Sequence, residues 1–334
     1  GLTLLLHSLN YNYNQYLGTK NQRQFAERST GVIVMTTQSR GPDGMYTSAA
    51  LADVFEVWAD VARNYPLEPE WTTIAGYSMG GFGTYFIAEA YPDLFARGQS
   101  TVGSSYSRNS RLASLRNVPI LAWNAAADEL VPLPAVETDA ATLQLLGYRY
   151  ELDVFTTAEH LTLSVNDEYQ PAADFLGTAR VEANPFHVTY VVNPYDVYPQ
   201  FGMAADRAYW LSGMKVRVVA PEGLANNSIN NGVVDAFSYG FGKTDPIASG
   251  QQAGSGVLTG GVIPALPYTR QFQTWGEPGT APAENRLDLD LKNVAEVTID
   301  AARARVGCDV DLRVTTDGPA RVTLAGCGRT VDFE

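Results

Sequence analysis

The stretch Trp71-Thr-Thr-Ile-Ala-Gly76-Tyr77-Ser78-Met79-Gly80-Gly81 decides the fold of this chain. An apolar, strand-like run leads into it, and a helical pattern continues from it to about Tyr91, where Pro92 ends the helix. It holds the sole G-x-S-x-G of the sequence. A serine between a strand and a helix, with small residues on both sides, is the pattern of a nucleophile elbow. We therefore predict that Ser78 is a nucleophile exposed on a sharp turn above a sheet.

The first half of the chain alternates short apolar runs with helical patterns. The clearest helix, Ala49–Tyr65, repeats apolar residues at i, i+3 and i+4. The strand-like runs are Leu2–His7, Gly31–Thr36, Trp71–Gly76, Arg97–Val102, Val118–Asn124 and Tyr148–Phe155. Such alternation predicts an α/β fold, with a parallel sheet covered by helices on both faces.

A serine hydroxyl needs a neighbouring base to act as a nucleophile. Of the 3 histidines, His160 follows the last strand of this half and can reach over the carboxyl edge of the sheet. Asp128 follows the strand before it and is the predicted acid, with Glu129 as the alternative. The order Ser78, Asp128, His160 is the Ser…Asp…His order of α/β-hydrolases.

Residues 2–177 resemble the secreted esterases and prolyl-oligopeptidase-like members of the α/β-hydrolase superfamily. The segments that carry the resemblance are Leu4-Leu-Leu-His7-Ser-Leu-Asn10, Gly76-Tyr-Ser-Met-Gly-Gly81, Tyr91-Pro-Asp-Leu-Phe95 and Asp128-Glu-Leu-Val-Pro132. The resemblance covers about half of the chain. It implies the fold and a Ser-His-Asp triad, but it does not specify the substrate.

The same resemblance implies an oxyanion hole made of two backbone N–H groups. One belongs to Met79, directly after the nucleophile. The other is expected from Leu9, with Ser8 as a competitor, because serine stands where the family has glycine after the histidine. His7 itself is interpreted as a structural histidine.

After about residue 180 the sequence becomes rich in glycine, proline, asparagine and threonine, and its strands alternate apolar with polar residues. We predict an α/β-hydrolase domain over 1–180 and a β-rich, sandwich-like domain over 185–334. Within the second, Lys215–Val219 and Val233–Ser238 are predicted to pair as a hairpin through Asn231-Gly232. We expect this domain to help to wall the active-site cleft.

The 2 cysteines, Cys308 and Cys327, flank a strand-turn-strand pattern and are predicted to form one disulfide across adjacent strands, which favours a secreted protein. The chain opens inside a strand-like run, so we expect further sequence upstream. Its net charge of −13 argues against nucleic acid or an anionic membrane as the main partner, and no run approaches the ~20 apolar residues of a membrane span. No histidine or cysteine has metal-ligand spacing, so neither a metal nor another cofactor is expected.

The leading functional prediction is a carboxylic-ester hydrolase that works through an acyl-enzyme. A peptidase and an acyltransferase are the alternatives with the same triad, and a surface-binding module is the alternative from a different class. The segment Gly103–Asn117 is too short for a large lid, which predicts an open cleft for a polymeric or bulky ester or a peptide. The loop Asn10–Tyr16 carries aromatic and amide side chains that either bind substrate or pack.

Overall fold

The computed structural model describes residues 1–106, 109–219 and 231–334. Its first half alternates strands and helices as the sequence predicts. In chain order these are β1 (Leu2–Leu6), α1 (Lys20–Ala26), β2 (Ile33–Met35), α2 (Ala49–Asn64), β3 (Thr72–Tyr77), α3 (Met79–Ala90), β4 (Gly98–Thr101), β5 (Ile120–Ala125), α4 (Leu133–Leu145), β6 (Tyr150–Phe155), α5 (Thr162–Asn166) and α6 (Gln170–Leu176). Residues 107 and 108, inside the short segment where a lid was not expected, lie outside the described residues.

The second half of the described chain contains strands joined by loops and short turns. In chain order these are β7 (His187–Val192), β8 (Val197–Tyr198), β9 (Met203–Ala204), β10 (Leu211–Val216), β11 (Gly232–Ser238), β12 (Lys243–Thr244), β13 (Gln252–Leu258), β14 (Leu266–Gln273), β15 (Gly279–Thr280), β16 (Arg286–Lys292), β17 (Val294–Asp300), β18 (Asp311–Thr316), β19 (Ala320–Ala325) and β20 (Arg329–Phe333).

The large sheet has the strand order β13-β14-β6-β5-β4-β3-β1-β2 among the described residues. Strands β1 to β6 run parallel to one another. Every residue of β1, β3 and β5 is buried, because helices cover both faces of the sheet. This confirms the predicted parallel sheet.

Two strands of this sheet come from the second half of the chain, which the sequence did not lead us to expect. Strand β14 pairs antiparallel with the edge strand β6, and β13 pairs with β14. Arg270 on β14 donates two hydrogen bonds, of 2.6 and 2.7 Å, to the buried carboxylate of Asp153 on β6. Residues 252–273 therefore belong to the large sheet, although the expected boundary near residues 180–185 places them in the other domain.

The remaining long strands form two four-stranded sheets, with the orders β18-β16-β11-β7 and β10-β17-β19-β20. Alternate residues of β16 face the interior: Leu287, Leu289 and Leu291 are buried, as the alternating sequence requires. They share one apolar core with residues of the other sheet such as Val297 and Val322. This part of the chain is a β-sandwich, which confirms the predicted β-rich architecture.

The predicted hairpin between 215 and 238 is wrong. Strand β10 pairs with β17 in one sheet, and β11 pairs with β7 and β16 in the other. Asn231-Gly232 is a strong local turn signal, but Gly232 is the first residue of β11, and β10 and β11 lie in opposite sheets of the sandwich.

The sandwich packs against the end of the α/β part that lies away from Ser78. Tyr190 and Tyr209 donate hydrogen bonds to the backbone oxygens of Ala90 (2.8 Å) and Pro92 (3.1 Å), at the C-terminal end of α3. Ser78 precedes the other end of this 12-residue helix, about 18 Å away at 1.5 Å per residue. The expectation that the sandwich walls the cleft is therefore wrong. The sandwich packs at the ends of the strands that are opposite to the ends beside Ser78.

The hairpin β13–β14 does reach the side of the sheet that carries Ser78. Its tip contacts α5, which begins two residues after His160. The backbone N–H groups of Val262 and Ile263 donate to the backbone oxygen (3.0 Å) and to Oδ1 (2.9 Å) of the buried Asn166. The second half of the chain thus supports the His160 segment through this hairpin.

Cys308 and Cys327 form a disulfide, with their Cα atoms 5.3 Å apart. Cys308 precedes β18 in one sheet, whereas Cys327 lies in the turn between β19 and β20 of the other. The predicted pairing is confirmed, but the bond connects the two sheets rather than adjacent strands of one.

In the part of the chain that the structure describes, no helix has the length and apolar character needed to cross a membrane.

Candidate active site

Ser78 occupies a strained turn between β3 and α3. Its φ of 54° is uncommon for a residue with a side chain, and the strain lifts the hydroxyl above the sheet. The turn is tight enough to require glycine nearby: a Cβ on Gly76 would lie 2.2 Å from the oxygen of Gly80, and one on Gly80 would lie 2.0 Å from the oxygen of Leu6. The glycines of the motif therefore allow β1, β3 and α3 to meet below the serine.

His160 lies against the hydroxyl of Ser78. The distance from Ser78 Oγ to His160 Nε2 is 2.9 Å, within reach for proton transfer. The loop after β6 carries His160, and the hydroxyl of Tyr77 donates to its backbone oxygen. Burial raises the pKa of Tyr77, so this hydroxyl keeps its proton and remains a donor. The residue before Ser78 thus helps to position His160.

Asp128 lies on the other side of the imidazole. Both carboxylate oxygens are 2.9 Å from His160 Nδ1, and the Asp128 side chain is fully buried. The backbone N–H groups of Leu130 and Val131 donate to its Oδ1, at 3.0 and 2.7 Å. These two bonds fix the carboxylate in the loop after β5, so that its direction does not depend on the histidine.

Glu129, the alternative acid, is exposed and does not face the ring. Its Oε2 lies 3.4 Å from the backbone nitrogen of His160. Of the two neighbouring acids, Asp128 is therefore the one whose geometry suits the orientation of the imidazole.

The turn after β1 offers one of the two expected oxyanion donors. The backbone N–H of Ser8 donates to Gln15 Oε1 at 2.7 Å, and Gln15 Nε2 donates to Ser8 Oγ at 2.6 Å. Because Gln15 occupies the Ser8 amide, Leu9 is left as the candidate on this turn. Met79, the first residue of α3, supplies a second N–H that the helix itself does not use.

Gln15 was not singled out from the sequence. It lies in the loop Asn10–Tyr16, where aromatic and amide residues suggested substrate contacts. Its two hydrogen bonds to Ser8 indicate instead that it supports the turn after β1. No motif marks such a residue; only its polar side chain near a predicted turn could have drawn attention to it.

His7 is fully buried and is not part of the hydrogen-bonded series of Ser78, His160 and Asp128. Its ring nitrogens are 2.9 and 3.1 Å from the backbone oxygens of Ser8 and Gln38, and Tyr46 donates to its own backbone oxygen at 2.9 Å. These bonds connect the ends of β1 and β2, in agreement with the interpretation of His7 as structural.

Exposed apolar side chains surround Ser78, Asp128 and His160. They lie on the loops that follow β1, β4, β5 and β6, which end at the same edge of the sheet. The set, called the apolar rim below, comprises Leu9, Tyr11, Tyr13, Tyr106, Leu130 and Leu161, each between 47% and 67% exposed. Leu161 adjoins His160 in sequence, and Tyr106 packs edge-on against Phe82 in the first turn of α3, with ring centroids 5.7 Å apart. Large apolar residues clustered at a surface are typical of a binding site.

No family model matches the sequence, and a search of curated proteins finds no match. Among solved structures, SOBER1 of Arabidopsis thaliana is 17% identical, with 48% of this chain and 90% of that chain covered and a TM-score of 0.39. A ferulic acid esterase is 15% identical, with 52% and 83% covered and a TM-score of 0.45. The acylaminoacyl peptidase of Pyrococcus horikoshii is 17% identical, with 52% and 35% covered and a TM-score of 0.41.

These similarities are too low to carry an argument about activity. The parallel order of β1 to β6 and the strand-turn-helix around Ser78 are features of the chain itself. They give the first half of this protein the α/β-hydrolase fold.

Proposed function

We propose that this protein is a serine hydrolase that cleaves carboxylic esters through an acyl-enzyme. One observation carries the proposal: Ser78, His160 and Asp128 form a continuous hydrogen-bonded series with every step at 2.9 Å. Three side chains from three separate loops meet in this way, in the arrangement that activates a serine hydroxyl.

In the first half of the reaction, Ser78 Oγ attacks the ester carbonyl carbon and His160 Nε2 accepts the hydroxyl proton. Asp128 holds the imidazole and stabilises its positive charge. The N–H groups of Met79 and Leu9 receive the oxyanion, each worth roughly 3 kcal/mol in the transition state. The intermediate then expels the alcohol, which takes the proton from His160.

In the second half, water attacks the acyl-Ser78 ester while His160 accepts a proton from that water. Collapse of the second intermediate releases the carboxylic acid, and His160 returns the proton to Ser78 Oγ. Ester, water, acid and alcohol balance, and the enzyme ends in its initial state.

The apolar rim supports a bulky or polymeric ester with apolar or aromatic groups as the substrate. The rim side chains are exposed in the free protein. Contact with an apolar substrate would remove them from water, which contributes about 25 cal/mol of favourable free energy per Å² of apolar surface buried. The disulfide supports a protein that folds in an oxidising compartment, and we propose that it is secreted.

A fluorophosphonate probe tests the nucleophile. We expect labelling of the wild-type chain and of Ser249→Ala, a surface serine variant, but not of Ser78→Ala. Labelling of Ser78→Ala at the wild-type rate would reject Ser78 as the nucleophile.

The ester preference has its own test. Nitrophenyl esters of increasing acyl length should be cleaved with a kcat/KM that rises with chain length, whereas aminoacyl nitroanilides should be cleaved more slowly. Faster cleavage of the nitroanilides would replace the ester hydrolase by a peptidase.

A further inference from the structure

A cavity of about 470 Å³ lies between the α/β part and the sandwich, away from Ser78. Arg116 and Arg149 line it from the α/β side, and Lys243 and Arg305 line it from the other. Phe186 and Trp275 add aromatic walls. Four cationic side chains around one cavity are unusual in a protein with a net charge of −13.

Arg149 is the most informative of the four. It is half-buried, and its Nε is inaccessible to solvent and has no hydrogen-bond partner among the described residues. Its guanidinium lies over the ring of Trp275, 4.4 Å from the centroid. No carboxylate of the described chain lies within 4.0 Å of it.

Arg180 shows what an ordinary pairing looks like in the same protein. Its guanidinium also lies over an indole, that of Trp71, 4.2 Å from the centroid. Unlike Arg149, it has an acidic partner, since its Nη2 is 3.2 Å from Glu68 Oε2. Stacking on an aromatic ring therefore does not by itself prevent an arginine of this chain from pairing with a carboxylate.

The surroundings of Arg149 disfavour its positive charge. Burial, together with repulsion from Arg97, lowers the pKa of Arg149 to about 10. A partly buried cation without an anion costs free energy, which a bound carboxylate would offset. Such an anion would take the place that Glu68 fills at Arg180.

The acidic residues around the cavity do not fill this place. Asp245 already accepts hydrogen bonds from His187 and pairs with Arg116 at 2.7 Å. Glu182 and Glu277 are exposed and form no ion pair within 4.0 Å in the described chain. Lys243 and Arg305 also have no acidic partner at this distance, and they contact the rings of Phe186 and Phe241.

We propose that this cavity binds an organic anion that carries a ring, with its carboxylate on Arg149 and its ring beside Phe186. The volume suits a small ring-bearing ligand. A carboxylate can approach the Nη groups of Arg149, since only the Nε is inaccessible, and it can accept a hydrogen bond from each of them, while the aromatic walls remove the ring from water. The site is separate from Ser78, so it stands whether or not the chain hydrolyses esters.

Benzoate and its uncharged analogue benzamide are the probes, used with the full chain in calorimetry and thermal unfolding. We expect benzoate to bind and to raise Tm in a dose-dependent way, whereas benzamide has no effect. Inorganic phosphate, an anion without a ring, should bind about tenfold more weakly than benzoate or not at all.

Arg149→Met keeps the length of the side chain but removes its charge, and Arg180→Met is the matched control. Arg149→Met should weaken benzoate binding about tenfold or more and leave the Tm of the free protein unchanged or higher, because an unpaired buried charge is removed. Arg180→Met should bind benzoate as the wild type does. Equal binding by wild type and Arg149→Met, equal effects of benzoate and benzamide, phosphate binding as tight as that of benzoate, a lower Tm of free Arg149→Met, or no binding of benzoate would each overturn the proposal.

Discussion

Asp128 presents both carboxylate oxygens to His160 Nδ1 at 2.9 Å, while the backbone of its own loop holds Oδ1 in place. The direction of the carboxylate is therefore fixed by its own loop as well as by His160. The structure therefore distinguishes Asp128 from its neighbour Glu129 as the residue that faces the imidazole. A sequence alone cannot easily make this distinction between two adjacent acidic residues.

Replacement of Asp128 by asparagine should remove most of the activity. The amide would favour the wrong tautomer of His160, and a loss of ~10⁴ in kcat is expected. Glu129→Gln is the matched control and should stay within about threefold of the wild type, because its side chain faces only a backbone N–H at 3.4 Å. Steady-state kinetics on a nitrophenyl ester gives both values, and the reverse ranking would make Glu129 the acid.

Gln15→Leu should lower kcat roughly tenfold with a smaller change in KM. Without the two bonds from Gln15 to Ser8, the turn that presents the Leu9 N–H is no longer held in position, and the loss falls on the transition state. Asn12→Ala, in the same loop, removes only the side-chain bond that Asn12 Oδ1 accepts from the N–H of Asn14, and should leave kcat unchanged. Similar losses in both variants would mean that the loop, rather than Gln15, supports the turn.

Residues 1–183 expressed alone should be insoluble or inactive. This fragment lacks β14, so the edge strand β6 would be unpaired and the buried Asp153 would lose Arg270. A soluble fragment with full activity on small esters would show that the hairpin is dispensable.

The full-length chain allows a milder test of the same contact. Arg270→Met should lower the free energy of unfolding by about 3–5 kcal/mol, because it leaves the buried carboxyl of Asp153 without its cationic partner. Addition of Asp153→Asn should restore part of this loss, as measured by urea denaturation. If the double variant were less stable than Arg270→Met, the ion pair would not be the source of the effect.

Stability should depend on pH through Asp139. Burial raises the pKa of this carboxyl in α4 to about 7, although the N–H of Ser105 donates to it at 2.8 Å. In the unfolded chain the pKa is ~3.9, so between about pH 4 and 7 the folded state holds a proton that the unfolded state has lost. The folded state therefore loses stability as the pH rises through this range, and the loss persists above pH 7.

Asp139→Asn removes this dependence. At pH 8 the variant should exceed the wild type in free energy of unfolding by on the order of 2–4 kcal/mol, and the difference should close near pH 4. Urea titrations at both values provide the test, and a difference that does not change with pH would contradict the raised pKa.

The disulfide should stabilise the sandwich without affecting catalysis. Cys308 and Cys327 are 19 residues apart, and a loop of this length contributes ~3 kcal/mol. The variant with both cysteines changed to serine should unfold at a lower urea concentration but keep the kcat of the wild type on small esters. A change in kcat would reveal a connection between the sandwich and Ser78 that the packing does not suggest.

The parts of the structure that the sequence predicted are those determined locally. The elbow around Ser78 depends on a few neighbouring residues. Helix α2 depends on the regular spacing of apolar residues within one segment. The positions of His160 and Asp128 follow from the rule that functional groups gather at the carboxyl ends of parallel strands. These features need no knowledge of distant pairing.

The parts that were missed depend on distant partners. Strand β13 is mostly exposed and rich in glycine, so its sequence gives little sign that it extends the large sheet. The Asn231-Gly232 turn signal is local, whereas the true partners of β10 and β11 lie elsewhere in the chain. The side on which the sandwich packs is likewise set by contacts such as Tyr190 to Ala90, which no periodic pattern reveals.

The place of β14 in the large sheet also constrains the order of events during synthesis. Ser78, Asp128 and His160 have all left the ribosome long before residues 266–273 are made. At a synthesis rate of about 5–20 residues per second, the edge of β6 stays unpaired for several seconds, during which another nascent chain can pair with it. A chaperone that shields this edge should therefore raise the yield of native protein, even though Ser78, Asp128 and His160 are already present.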